Sequence, residues 1–116
     1  MRIDTQRAGR AAETAAEGHY KNQGFILLHR NYRARGGELD LVMRRGGLLV
    51  FVEVKGRSGA WEPYAWQTAW RHKVRCLRRA IGAYLIEHGA GLSYAEIRME
   101  LVIVTQGRVV AHFERI

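Results

Sequence analysis

The stretch Gly36–Arg57 reads GGELDLVMRRGGLLVFVEVKGR, two apolar runs joined by Arg-Arg-Gly-Gly. Runs rich in valine and leucine on either side of a glycine pair are typical of a β-hairpin. Charged residues interrupt both runs, although the runs read as buried strands. They are Glu38, Asp40, Glu53 and Lys55.

The rest of the chain predicts two helices and three more strands around this hairpin. Alanines followed by a stop at Gly24 indicate the first helix, and a stripe that includes Leu77, Ile81 and Tyr84 indicates the second. The elements are helix 5–22, strand 24–32, the hairpin strands, helix 63–88, strand 97–104 and strand 109–113. This α-β-β-β-α-β-β order predicts an α/β fold in one domain over residues 1–116, with helices packed on the faces of a mixed sheet.

The net charge of the chain indicates which classes of binding partner are expected. The chain has 116 residues, a net charge of +8 and a pI near 10.4, which favours a polyanion ahead of a membrane surface. No apolar run is long enough to span a bilayer, so we expect no membrane partner. The single cysteine, Cys76, excludes a disulfide within the chain. The opening MRIDTQRAGR lacks the apolar region of a secretion signal, so we expect a cytoplasmic location.

The alternation of strand side chains places the four hairpin charges together. With a two-residue turn at Gly46-Gly47, Asp40 lies across from Glu53 and Glu38 across from Lys55. A turn at Arg45-Gly46 would put Glu38 opposite Glu53, and all four charges would still share one face. Opposed carboxylates about 5 Å apart repel by about 3 kcal/mol at an effective dielectric near 20.

Such repulsion needs compensation. Lys55 can neutralise one carboxylate, whereas a divalent cation such as Mg²⁺ or Mn²⁺ would neutralise both. The alternative is a surface hairpin with ordinary cross-strand ion pairs. Four charges on one face favour a site over that alternative.

Asp40, Glu53 and Lys55, in the spacing D-x₁₂-E-V-K, resemble the motif of the PD-(D/E)XK nucleases, the restriction-endonuclease-like superfamily. GGELDLV, LVFVEVKGR, RNYR, Lys73 and the pair Gly9 and Glu13 are similar to the YraN-like family, small uncharacterised bacterial proteins within that superfamily. The resemblance implies a three-layer αβββαβ core and a Mg²⁺-dependent phosphodiesterase site. The chain departs from the family at Ala12, at Arg98-Met99-Glu100 and in GRSGAWEPYAW after the motif.

The resemblance implies roles for these residues. Asp40, Glu53 and the main-chain carbonyl of Val54 would bind the metal ion, and Lys55 would orient the attacking water and stabilise charge. Glu38 is either a further carboxylate of the site or an ion-pair partner of Lys55. Glu13 either approaches the site from the first helix or lies on the surface of that helix.

The segment RHKVRCLRR (residues 71–79) carries five positive residues, and no Asp or Glu occurs between Glu62 and Glu87. A basic helix face of this kind suits phosphate contacts, although a solvated face is the alternative. The candidate nucleic-acid-binding residues are Arg33, Arg35, Arg57, Arg71, Lys73, Arg75, Arg78 and Arg79.

Together these features predict a metal-dependent nuclease that selects nucleic-acid structure rather than sequence. We expect nucleic acid as the partner, with DNA as the first candidate. A homodimer or a protein partner would supply further specificity, because the chain is too short for a separate specificity domain. The alternative is a non-catalytic nucleic-acid-binding module on the same fold, and a third reading is an adaptor that binds an acidic protein.

Overall fold

The computed structural model describes residues 5–56 and 67–114, with side chains for residues 9–56 and 72–114. The elements follow the predicted order, and the predicted helix start at Pro63 lies outside the described residues. They are α1 (Thr5–Lys21), β1 (Ile26–Ala34), β2 (Gly37–Arg45), β3 (Leu48–Gly56), α2 (Gln67–His88), a 3₁₀ turn (Gly89–Gly91), β4 (Glu96–Thr105) and β5 (Arg108–Phe113).

The strands form one sheet in the order β1-β2-β3-β4-β5. β3 and β4 run parallel, and the other neighbouring strands run antiparallel. A parallel pair needs a long crossover connection, and the segment that contains α2 supplies it. The sheet is therefore mixed, as the order of elements predicted.

The two helices cover opposite faces of the sheet. On one face, α1 packs Ala12, Ala16 and Tyr20 against strand residues that include Leu41 and Val52. On the other, α2 packs against the second set of strand side chains; its buried residues are Leu77, Ala80, Ile81 and Tyr84. Strands covered on both sides are apolar on both sides, which explains the continuous apolar runs of the hairpin. This three-layer α/β arrangement is compatible with a restriction-endonuclease-like core.

α2 is the longest described helix, at 22 residues, and it carries the basic run. None of the helices within residues 5–56 and 67–114 is both long and apolar enough to cross a membrane.

The β2–β3 hairpin has the predicted register. Arg45 pairs with Leu48, and the last pair of the ladder is Leu41 with Val52. Gly46 has a φ of 57°, in the left-handed region that glycine adopts at little cost. Asp40 and Glu53 are the next residues beyond the last pair, so they lie where the two strands no longer pair.

The regular alternation expected along β2 is wrong near Asp40. Leu39 packs in the core beneath α2 and Leu41 in the core beneath α1. Residues two apart share a face in a regular strand, so the strand must be distorted between these leucines. This distortion breaks the periodicity that would have kept Glu38 and Asp40 on one face.

Candidate active site

Asp40 connects the end of the β2 ladder to β3. Its Oδ2 accepts a hydrogen bond from the main-chain N–H of Val54 at 2.9 Å. The bond links the strands beyond their last ladder pair and fixes the Asp40 carboxylate beside Glu53. The structure thus brings the N–H group of Val54 to Asp40, while the metal-ligand role that the resemblance implies for the Val54 carbonyl stays a prediction.

Glu53 is a buried carboxylate with two lysine partners. It is 2% exposed, and its Oε1 lies 3.4 Å from Nζ of Lys55 and 3.2 Å from Nζ of Lys73. Its Oε2 is buried and has no hydrogen-bond partner among the described residues. Burial alone would lower the pKa of Lys73, but the carboxylates of Glu53 and Asp40 outweigh it, so this pKa is raised.

Glu13 reaches the same region from α1. Its side chain is 13% exposed, and its Oε1 accepts a hydrogen bond from Nδ2 of Asn31 at 3.1 Å. Nε of Arg30 lies 3.6 Å from the same oxygen. The negative charge of Glu13 acts on Asp40. Of its two predicted positions, Glu13 therefore takes the one in which it approaches the site from α1.

These three carboxylates repel one another. Burial raises the pKa of Asp40 from 3.8 to about 8, with further contributions from the charge of Glu53, a hydrogen bond with Glu53 and the charge of Glu13. The hydrogen bond from Val54 N–H opposes the rise but does not cancel it. Asp40 therefore takes up a proton at a higher pH than an isolated aspartate does, and this proton relieves the repulsion with Glu53.

The donor set fits a small divalent cation. Asp40 and Glu53 lie close together, and a buried oxygen of Glu53 has no hydrogen-bond partner within residues 5–56 and 67–114. Carboxylates are hard oxygen ligands of the kind that Mg²⁺ and Mn²⁺ prefer. A cation between Asp40 and Glu53 would supply the positive charge that the proton on Asp40 supplies in its absence. Asp40 and Glu53 are the residues that would hold it.

Glu38 does not join this cluster. It is exposed, and no contact within the described part of the chain connects it to Asp40 or Lys55. Lys55 pairs with Glu53 instead. Three of the four charged residues predicted to share one face, Asp40, Glu53 and Lys55, therefore come together. The prediction is wrong for Glu38, because β2 is distorted between Leu39 and Leu41.

The basic residues of α2 lie beside the β1–β2 turn. A Cβ built on Gly36 would lie 2.9 Å from Cβ of Arg79, so the turn packs closely on the helix. None of the exposed arginines of this surface has an ion pair with another described residue. We call them the arginine surface: Arg33, Arg35, Arg75, Arg78 and Arg79.

Two other predicted nucleic-acid-binding residues are not placed. Arg57 lies outside the described residues, and only the main chain of Arg71 is described. Lys73 is placed, but at Glu53 rather than on the arginine surface.

A polar network that the sequence did not reveal lies on the opposite edge of the sheet. Oε1 of buried Glu100 accepts a hydrogen bond from the Tyr20 hydroxyl at 2.6 Å and lies 2.7 Å from Nε2 of His112. Nδ1 of His112 lies 3.0 Å from Nε2 of His19. The residues are far apart in the chain, so spacing gave no signal, although Glu100 did stand where the YraN-like pattern differs. The network joins α1 to β4 and β5.

Comparison with known proteins identifies the family. Residues 12–104 match the uncharacterised protein family UPF0102, and the chain belongs to that family. UPF0102 proteins of Methylococcus capsulatus and Synechococcus sp. are 39% and 37% identical to it, over 85% and 90% of this chain and 78% and 80% of theirs. One of Gloeobacter violaceus is 44% identical over 66% of this chain and 62% of its own length. These matches confirm the YraN-like resemblance.

Proposed function

We propose that this protein is a metal-dependent nuclease of the restriction-endonuclease-like PD-(D/E)XK superfamily that hydrolyses phosphodiester bonds in nucleic acid. The observation that carries the proposal is the meeting of Asp40 and Glu53 where β2 and β3 stop pairing, with Lys55 on Glu53. The pKa of Asp40 is raised there, and Oε2 of Glu53 has no hydrogen-bond partner among the described residues, so added positive charge would stabilise the site.

The reaction joins a water oxygen to phosphorus and breaks one P–O ester bond, which gives a phosphate monoester and a hydroxyl group. Asp40 and Glu53 would hold Mg²⁺ or Mn²⁺, which when bound lowers the pKa of water and neutralises the scissile phosphate. The ammonium of Lys55, 3.4 Å from Glu53, would orient the attacking water and stabilise the charge that develops on the phosphoryl oxygens. Lys73 would hold the Glu53 side chain in place.

The arginine surface supports nucleic acid as the substrate. Its five guanidinium groups are exposed and lack described acidic partners, so they remain available for phosphate oxygens. Lys73 contacts the site, and Arg75 to Arg79 follow it on the same helix within about two turns. We infer contacts along the backbone, with selectivity for nucleic-acid structure and DNA as the first substrate to test.

The test is a cleavage assay on single-stranded, duplex and branched DNA and RNA, with Mg²⁺ or Mn²⁺ and with EDTA. We expect cleavage in metal that falls at least about 100-fold in Asp40→Asn and Lys55→Ala, because each variant removes a group that acts on the scissile phosphate. Glu38→Gln is the matched control, a carboxylate of the same strand outside the cluster, and should cleave like the wild type. Cleavage that persists in both site variants would refute the assignment.

A non-catalytic nucleic-acid-binding module is the second candidate. The observation that favours it is the pair of lysines on Glu53, which compensates this carboxylate without a cation. This candidate predicts salt-sensitive binding in EDTA and no cleavage with any divalent metal. That result in the same assay would select it over the nuclease.

A further inference from the structure

A second group of metal-ligating side chains lies at β4 and β5, away from Asp40 and Glu53. Glu100 lies on β4, His112 lies on β5, and Glu114 follows the end of β5. Each offers one ligand atom, and these three atoms all lie within 4.8 Å of one another. The two strands therefore bring one imidazole and two carboxylates together, a mixed set of nitrogen and oxygen donors.

One ring nitrogen of His112 is held by residues of α1 and the turn that follows it. Nδ1 of His112 lies 3.0 Å from Nε2 of His19. Nε2 of Gln23 lies 3.1 Å from the same His19 nitrogen and also donates to the His19 carbonyl at 3.2 Å. An amide nitrogen only donates, so Nε2 of His19 is an acceptor and the shared proton belongs to Nδ1 of His112.

The other ring nitrogen of His112, Nε2, faces the carboxylate of Glu100. Oε1 of buried Glu100 lies 2.7 Å from this nitrogen, and the Tyr20 hydroxyl gives its single proton to the same oxygen at 2.6 Å. With Nδ1 already protonated, Nε2 and Oε1 are two acceptors, and a cation must join them. That cation is either a second proton on His112 or a metal ion.

The contact between His112 and His19 favours a metal ion. A histidine that binds a metal usually donates its other ring N–H to a fixed acceptor, which sets the tautomer and the orientation of the ring. Nδ1 of His112 makes such a contact with His19, and Gln23 fixes His19 in turn. These two residues lie outside the group of three ligands, and they aim Nε2 at the carboxylates.

We propose that Glu100, His112 and Glu114 form a transition-metal site, for which Zn²⁺ is the expected ion. Zn²⁺ binds imidazole nitrogen and carboxylate oxygen, and three protein ligands leave its fourth position to water. The donors of the candidate active site are carboxylates, which suit Mg²⁺ or Mn²⁺ instead. The Zn²⁺ site links β4 to β5, and it does not depend on the nuclease proposal.

The test is a calorimetric titration of the full chain with Zn²⁺, after treatment with EDTA, removal of the EDTA and addition of excess Mg²⁺. Glu114→Gln removes an exposed ligand and leaves the buried contacts of Glu100 in place, so it should keep the fold. We expect Zn²⁺ binding at least about tenfold weaker in this variant, since even the loss of a group behind a ligand costs that much.

Glu87→Gln is the matched control. Glu87 is an exposed carboxylate with Oε1 3.9 Å from Nε2 of His88, and no third metal-ligating side chain of the described residues completes a group there. Its Zn²⁺ affinity should equal that of the wild type. Asp40→Asn should also keep this affinity, because the Zn²⁺ ion does not occupy the candidate active site.

Nitrogen-15 NMR of the imidazole rings provides a second readout, which a surface-bound ion would not produce. Zn²⁺ should shift the Nε2 resonance of one histidine while Nδ1 of the same ring keeps its proton. The shift should be absent in His112→Gln, which identifies the ring. Shifts spread over several histidines would contradict the site.

The outcomes separate this inference from the proposed function. A wild-type protein that binds no Zn²⁺ would overturn the inference, with a proton as the cation on His112, and would leave the nuclease proposal intact. Equal weakening in Glu114→Gln and Glu87→Gln would overturn it too, because position would then not matter. Loss of binding in Asp40→Asn but not in Glu114→Gln would overturn it by assigning the ion to the candidate active site.

Discussion

At the residue scale, the sequence predicted where Asp40 lies but not its protonation. Counting outward from the glycine turn predicted that Asp40 and Glu53 would be close, because a two-residue turn fixes the register. The proton on Asp40 could not be predicted, because it depends on burial and on Glu13, which arrives from a distant helix. A cluster prepared for a cation should therefore reduce stability when the cation is absent.

This reasoning gives a prediction for Asp40→Asn in metal-free protein. The pKa of Asp40 rises from 3.8 to about 8 on folding, so the folded state loses stability relative to the unfolded state as pH increases from about 4 to 8. Asparagine carries no charge, and its carbonyl oxygen can still accept the Val54 hydrogen bond. At pH 8 we expect Asp40→Asn to be stabilised by about 1 kcal/mol, which raises Tm by about 4 °C.

Differential scanning calorimetry in EDTA checks this prediction. The gain in Tm should shrink as pH falls from 8 towards 4, because Asp40 becomes protonated in the folded state and begins to be protonated in the unfolded state as well. The exposed control Glu38→Gln should change stability by less than about 0.5 kcal/mol at either pH. An Asp40→Asn protein no more stable than the wild type at pH 8 would show that the carboxylates are not crowded in solution.

At the element scale, the spacing of apolar residues predicted those features that depend on regular helix and strand geometry. The α2 stripe through Leu77, Ile81 and Tyr84 is buried as predicted, because a helix on a sheet must bury one face. The break in β1 at Asn31, where φ is 54°, and the break in β2 between Leu39 and Leu41 were not predicted. Regular alternation along the neighbouring residues carries no signal of either break.

The docking of α1 gives a prediction at this scale, since Tyr20 and His112 both contact Glu100. Burial alone would raise the pKa of Glu100, but its hydrogen bonds with His112 and Tyr20 lower it below 4.5. A lowered carboxyl pKa contributes stability above the unfolded value, and this stability is lost as pH falls through the folded value. Glu100→Gln should therefore be about 1–3 kcal/mol less stable than the wild type at pH 7.

Urea unfolding at pH 7 and at pH 3.5 checks this prediction. The difference between Glu100→Gln and the wild type should narrow at the lower pH, because protonation of the carboxylate in the unfolded state already favours unfolding below about pH 4.5. Tyr20→Phe keeps the ring and removes the hydroxyl that contacts Glu100 and His112, but it leaves the charged contact between His112 and Glu100 in place. Its loss of stability at pH 7 should therefore be smaller than that of Glu100→Gln. If Glu100→Gln matched the wild type at pH 7, the network would not anchor α1.

At the scale of the whole molecule, the uneven placement of positive charge matters more than the net charge of +8. On α1 the cation Lys21 pairs with Glu17 at 2.6 Å, whereas the arginine surface has no described acidic partner. The basic composition predicted an anionic partner. The apolar stripe of α2 predicted which side of that helix would be exposed. The close approach of Gly36 to Arg79, which brings Arg33 and Arg35 beside that helix, could not be predicted from the sequence. It depends on how the β1–β2 turn packs against α2.

The arginine surface makes a quantitative prediction for nucleic-acid binding in EDTA, where cleavage cannot occur. Each phosphate contact contributes about −0.9 to the slope of log K against log salt concentration for duplex DNA, so Arg75→Ala with Arg78→Ala should reduce that slope by about 2. Lys21→Ala is the charge control, because Lys21 lies about 12 Å beyond Glu13 along α1 and should leave the slope unchanged. Fluorescence anisotropy over a range of salt concentrations measures both. The α2 variant loses two positive charges and Lys21→Ala loses one. Equal losses per charge removed would mean that net charge alone drives binding, because an oriented phosphate track requires the loss to depend on where the charge is removed.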